Sequence, residues 1–194
     1  MDPEKRKIYY SVIYPFLFVI ALWIIEGLDS FFEYNFIYLG IYPRDFSQLY
    51  GIITAPLIHK DFDHLFANSL PLLICGSGMI YSYKNASVKV IPIIYIFSGL
   101  IVWFFGRDAF HIGASGLIYG IVSFLFFSGL IRRDNRSIAL ALIVTFLYGS
   151  LVWGILPVKQ GISWEGHLFG AIVGIVCAFI FKKDDPYKKY DWED

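Results

Sequence analysis

The sequence predicts an all-α polytopic membrane protein with six transmembrane helices, organised as one domain over residues 1–194. Three observations predict it. Hydrophobic residues make up 57% of the chain and mean hydropathy is +0.61, leaving too little polar residue to cover a soluble globule of 194 residues. Six apolar stretches, at 8–28, 64–82, 88–106, 112–131, 137–156 and 164–181, come close to the roughly 20 residues that a helix needs to cross hydrocarbon. Lys and Arg, finally, collect on one side of those stretches.

The first stretch, 8–28, follows Lys5, Arg6 and Lys7, an order shared with secretory signals. Its apolar run is long for a signal core of about 7–15 residues, and no small-x-small site follows it. It reads as a retained span. Glu26, near its outer end, reaches interfacial water and is assigned a structural or loop-anchoring role. Residues 29–63 form the one long connection, whereas the later stretches are joined by short ones. A polar tail at 182–194 carries mixed charges and suits a solvated end. Aromatics reach 20%, as expected where rings meet both acyl tails and headgroups. Cys75 and Cys177 lie inside apolar stretches and read as small buried residues.

Charge sets the orientation. With the N-terminus in the cytoplasm, Lys5, Arg6, Lys7, Lys84, Lys89, Arg132, Arg133, Arg136, Lys182, Lys183, Lys188 and Lys189 fall inside, and Arg44, Lys60, Arg107 and Lys159 outside. That split, 12 against 4 of the 16 basic residues, places both termini in the cytoplasm by the positive-inside rule. Zero formal net charge argues against a nucleic-acid partner.

Spans two, four and six then all begin on the extracytoplasmic side. His64 and Asn68 fall in the first turns of span two, Ser115 in that of span four and His167 in that of span six. At 1.5 Å per residue these groups lie within about 5–8 Å of their span entrances, so they share one leaflet depth. Gly166, Gly170 and Gly174 make a smooth stripe on span six, and Gly116 and Gly120 a shorter one on span four. Such small-xxx-small faces let membrane helices approach closely. Packing alone would also account for them.

A serine hydroxyl becomes a nucleophile when a neutral histidine takes its proton. The oxyanion that follows needs preorganised donors, which His64, Asn68 and the Ser115 backbone N–H are placed to supply. Tyr119, one turn below Ser115, is positioned to support His167. No carboxylate in these spans is placed to orient His167, so a dyad fits better than a triad.

On these residues the chain resembles the rhomboid intramembrane serine proteases, in their compact prokaryotic six-span form. The matching elements are His59-x4-His64-x3-Asn68, Gly113-Ala114-Ser115-Gly116-x2-Tyr119 and Gly166-His167-x2-Gly170-x3-Gly174, in that order on spans two, four and six. The resemblance covers most of residues 40–181. It implies a rhomboid-like bundle with Ser115 as nucleophile, His167 as general base and then acid, and His64, Asn68 and the Ser115 backbone binding the oxyanion. Gly113 would keep the backbone open beside the serine. Residues 29–63 would form the family's large first loop, half sunk in the outer leaflet, to which the aromatic stretch Phe31–Leu39, the Gly40–Pro43 turn and the apolar 46–58 segment are suited. Many members carry Trp-Arg in that loop, whereas Tyr50-Gly51 stands here. The implied activity is serine endopeptidase cleavage of single-span membrane proteins near the extracytoplasmic boundary of the cell membrane, after a small residue. Access would open through the first loop or span five. No metal, nucleotide or redox cofactor is implied, and the oligomeric state is left open.

Three other readings compete with it. A catalytically silent relative that binds membrane clients would keep the fold but lose catalytic residues, and here Ser115, His167 and Asn68 are all present. A zinc site from His59, His64, His111 and His167 lacks the helical ligand spacing that such sites use. A transporter would spread ionisable residues through the membrane depth rather than cluster them at one level. His59 has a structural or catalytic role open to it, and His111 reads as an exposed or gating residue. Arg132, Arg133 and Arg136 read as topology determinants.

Overall fold

The computed structural model describes residues 2–157, 161 and 163–186. Residues 187–194 of the polar tail, with Lys188 and Lys189, and Lys159 of the last outer connection lie outside the described residues. The fold is all-helical: α1 (Pro3–Phe32), α2 (Gly51–Thr54), α3 (Phe62–Ser82), α4 (Lys84–Phe105), α5 (Ser115–Arg132), α6 (Asn135–Tyr148) and α7 (Trp164–Ile180), with no β-strand among the described residues. Five of these are long and apolar enough to cross a membrane, counting α6 together with the 3-10 segment Gly149–Ile155 that continues it. The sixth, α7, is an apolar helix of 17 residues. At 1.5 Å per residue it is about 26 Å long, at the short end of what spans a bilayer. This is a multi-pass helical membrane bundle.

Boundaries follow local chemistry. α1 starts earlier than its apolar stretch because Pro3 suits a first helical position and the Asp2 carboxylate accepts the Glu4 N–H. It runs on to Phe32 and stops at Glu33, whose backbone is left-handed. α5 starts at Ser115 rather than at 112, because His111 pairs in extended conformation with Ile41 and Gly113 has φ +105°. The fifth span loosens into a 3-10 turn from Gly149 onward.

Helix α7 packs most extensively against α5 and next against α4. The two glycine stripes set the α5–α7 distance. A Cβ on Gly170 would strike the Gly116 carbonyl, and one on Gly174 the Gly120 carbonyl. Backbone therefore touches backbone, and side chains near the stripe are held close across the interface. The main core lies between α1, α3, α4, α5 and α7, with Leu22, Leu65, Met79, Ile94 and Phe124 fully buried.

The long connection between α1 and α3 folds onto the C-terminal end of α4. Ile41, Ile52 and Ala55 form a second apolar cluster with Val102 and Trp103. The Arg44 guanidinium donates to the Gly106 carbonyl at 2.7 Å and pairs with Asp108, and the Trp103 indole N–H donates to the Asp45 carbonyl. Glu26 is buried on α1, and loop anchoring falls to Asp29, whose carboxylate accepts the Phe36 N–H. Tyr50-Gly51 holds the loop by its own means. A Cβ on Gly51 would sit 2.8 Å from Ile41 Cα, so this crossing of two loop strands requires glycine, and the Tyr50 hydroxyl donates to the Tyr38 carbonyl at 3.3 Å.

Candidate active site

Extended pairing delivers Ser115 to one end of the bundle. Ile41 and His111 exchange backbone hydrogen bonds of 2.9 Å each, and the Gly113 N–H donates to the Ala55 carbonyl at 2.9 Å. Helix α5 begins there with Ala114 at its N-cap and no side-chain cap. The other long helices differ. Asp2, Asp61, Asp134 and Ser163 cap α1, α3, α6 and α7, and the first-turn amides of α4 donate to Asp185. Among the described residues, α5 is thus the one long helix whose first-turn N–H groups meet no capping side chain. Those amides, Ser115's included, sit at the positive end of a helix and are suited to an anion.

His167 meets Ser115 from α7. The Ser115 Oγ to His167 Nε2 distance is 2.8 Å, and His167 Nδ1 lies 2.9 Å from the Gly154 carbonyl oxygen. A carbonyl only accepts, so Nδ1 carries the proton and Nε2 offers its lone pair to the serine hydroxyl. The Tyr119 ring lies flat on the imidazole, with centroids 4.1 Å apart and planes 6° from parallel. His167 is held from both sides, in one tautomer, and largely buried.

His64 and Asn68 complete the cluster from α3. Gly113 lacks a side chain where His64 needs room: a Cβ there would lie 2.8 Å from His64 Cε1, 3.1 Å from Nε2 and 3.8 Å from Ser115 Oγ. The Cε1–Nε2 edge of His64 and the Ser115 Oγ thus both border the open side of Gly113, while the His64 Nδ1 lies 3.5 Å from the Lys60 N–H. An acceptor at Nδ1 puts the proton on Nε2. The Asn68 amide donates to the His64 carbonyl at 3.1 Å, keeping one further N–H. His59 is fully buried, its ring 5.0 Å from that of His64, with Nε2 3.5 Å from the Ala114 N–H. Burial first, and the neighbouring His64 second, push its pKa from the ordinary 6.5 down to about 4.

A cavity of about 40 Å³ opens beside Ser115, bounded by Pro56, Ser98, Gly99 and Gly116. It admits a few heavy atoms at most. Next to it, His111 is buried rather than exposed. Its Nδ1 lies 2.6 Å from Ser163 Oγ and its Nε2 3.1 Å from the Arg107 carbonyl. The ring ties the α4–α5 connection to the N-cap of α7.

Most of the sequence-selected residues are brought together, and Asn68 is placed only by its bond to the His64 carbonyl. Ser115, His167, His64 and Gly113 are in direct register, Tyr119 supports the imidazole, and Gly166 and Gly170 lie on the α5–α7 seam, where a Cβ on Gly116 would come 3.2 Å from the Gly166 carbonyl. Sequence reasoning missed Gly154. A backbone carbonyl leaves no side-chain signature, although a glycine six residues past Tyr148 in a span is a visible irregularity.

Fold and site together define a class: multi-pass helical membrane proteins with a half-buried serine in contact with a buried histidine near one end of the bundle. The family model described as Rhomboid domain matches residues 47–184. The uncharacterized protein Rv1337 of Mycobacterium tuberculosis is 38% identical over 172 residues, covering 84% of this chain and 72% of its own. The "Putative rhomboid protease YdcA" of Bacillus subtilis is 25% identical over 189 residues, 91% of this chain and 87% of its own. Rhomboid-like protein 11, chloroplastic, of Arabidopsis thaliana is 26% identical over 175 residues, 80% of this chain and 60% of its own. The chain belongs to the rhomboid family, whose members are in general intramembrane serine proteases acting on transmembrane substrates within the bilayer.

Proposed function

We propose that this chain is a serine endopeptidase that cleaves single-span membrane proteins near the extracytoplasmic boundary, with Ser115 and His167 as its catalytic dyad and residues 1–194 forming one domain. The observation that carries the reading is the 2.8 Å contact between Ser115 Oγ and His167 Nε2, with Nδ1 engaged by the Gly154 carbonyl. Nucleophile and base are within hydrogen-bond reach, and the base is in the tautomer that accepts.

The steps follow. Nε2 takes the hydroxyl proton as Oγ bonds to the substrate carbonyl carbon, and the carbonyl π pair moves onto oxygen. That oxyanion is met by the Ser115 N–H at the uncapped start of α5, by His64 Nε2–H and by the remaining Asn68 N–H. The imidazolium then protonates the leaving nitrogen as the C–N bond breaks. Water, deprotonated by His167, releases the acyl group and regenerates the serine. No metal or other cofactor takes part in this scheme.

The cavity of about 40 Å³ beside Ser115 favours a small residue before the cut. A helical substrate hides its carbonyls in intrahelical bonds, so helix-breaking residues near the site should promote cleavage. The basic-residue distribution, 12 against 4, favours a cell-membrane protein with both termini cytoplasmic and the site open to extracytoplasmic water. The test compares wild type with Ser115→Ala on a single-span substrate in detergent. Cleavage by wild type alone is expected, and cleavage by both would remove Ser115 from the mechanism.

A further inference from the structure

The bundle has a second concave feature at the end opposite Ser115. A cavity of about 770 Å³ opens between the start of α1 and the α3–α4 turn, with Arg6, Lys7 and Lys84 at its mouth. A deeper cavity of about 240 Å³ continues toward the bundle centre, with an almost wholly apolar lining. Tyr14, Ile80 and Ile91 line both, so the two form one continuous groove.

Its chemistry is graded. Three cations and the Glu4 carboxylate stand at the mouth, and among the described residues none of the three cations is in an ion pair with a carboxylate. The Lys7 ammonium lies over the Tyr81 ring, 4.1 Å from its centroid, which fixes that charge at the rim. Below it, Tyr10 and Tyr14 stack with centroids 5.8 Å apart, and Phe18, Leu72 and Ile121 follow. Along α1, Arg6 to Phe18 is twelve residues, or about 18 Å. One leaflet of a roughly 30 Å hydrocarbon core is about 15 Å deep, so the groove has the length of one headgroup boundary plus one acyl chain.

We propose that this groove binds one anionic glycerophospholipid, its phosphate held by Arg6, Lys7 and Lys84 and one acyl chain running down between α1 and α4. Lipid tails fill any groove that faces a bilayer. What selects this occupant is a cluster of three cations, none in an ion pair among the described residues, over an apolar slot of matching depth. A free phosphate would use the mouth and leave the slot unexplained. The slot ends at Tyr95 and Leu117, which also line the cavity beside Ser115, so the acyl terminus reaches the inner wall of that cavity.

The test is native mass spectrometry of the delipidated, detergent-purified full chain, titrated with phosphatidylglycerol or phosphatidylcholine. Wild type should retain a single phosphatidylglycerol on the order of a hundredfold more tightly than phosphatidylcholine. The Arg6→Gln/Lys7→Gln/Lys84→Gln variant should lose that preference, and Ile91→Trp, which fills the slot, should weaken both lipids. Glycerol 3-phosphate in excess should not displace the bound lipid. Equal retention of the two lipids by wild type would overturn the proposal without recourse to any variant. Displacement by glycerol 3-phosphate would overturn it in favour of a soluble-phosphate site, and undiminished preference in the triple variant would remove the cations from it.

Discussion

The polar side chains around Ser115 have separate geometric tasks. His167 is fixed by a carbonyl on one nitrogen and a flat tyrosine on its face, leaving the other nitrogen for Ser115. In the proposed mechanism Asn68 is an oxyanion donor, so Asn68→Ala should lower kcat by about 10²–10³ with little change in thermal midpoint, as single-turnover assays on a model substrate would reveal. His59 makes a different prediction. Its pKa is lowered in the folded protein from 6.5 to about 4, so below pH 6.5 an unfolded chain binds a proton that the folded one refuses. Stability should therefore fall as pH drops from 6.5 to 4 and level off below that. His111, also lowered chiefly by burial, adds to the same limb. Thermal melts of wild type and His59→Gln across that window should give a steeper slope for wild type. At this scale the sequence was informative where a side chain belongs to a readable motif: it picked out Ser115 and His167, which the fold brings to 2.8 Å. It was silent where backbone does the work, as at Gly154, and it misjudged the exposure of His111, because the pairing with Ile41 that buries that ring joins residues seventy apart.

Helices explain why those side chains meet. Gly116, Gly120, Gly170 and Gly174 bring the α5 and α7 backbones into contact, so a short serine side chain reaches an imidazole across the seam. The 3-10 segment Gly149–Ile155 then swings the Gly154 carbonyl over His167. That turn has no room for a side chain, since a Cβ on Gly154 would strike the Tyr119 hydroxyl and come 3.2 Å from His167 Nδ1. Gly154→Ala should reduce kcat about 10- to 100-fold by displacing the ring, and adding Tyr119→Phe, which removes the struck hydroxyl, should restore part of it. Steady-state kinetics of the single and double variants would decide. Hydropathy located every long helix to within a few residues at the core. It missed ends set by caps and pairing, such as the start of α5, and could not foresee the 3-10 turn, because apolar content is the same in either helix type.

At the scale of the whole molecule, two ends with different chemistry are joined by one apolar bundle. One end carries the serine–histidine cluster under the folded first loop. The other is basic and is tied together by Asp185: its carboxylate accepts the Asn85 and Ala86 N–H groups, and its carbonyl accepts from Arg132 and Arg136, whose guanidinium groups also lie over the Tyr83 ring. Those arginines, read from sequence as orientation signals alone, are also structural. Fold class and span order were legible because lipid solvation forces long apolar helices. The packing of the first loop onto α4 was not, because it rests on close backbone crossings such as Gly51 over Ile41. The central claim is that His167 activates Ser115 at the extracytoplasmic face. A membrane-impermeant fluorophosphonate added to right-side-out vesicles tests it most directly, with the modified residue identified by peptide mass spectrometry in wild type and His167→Ala. The account predicts modification of Ser115 in wild type and none in the variant. A wild-type serine that stays unmodified even after the vesicles are permeabilised, or equal modification of the two proteins, would contradict it.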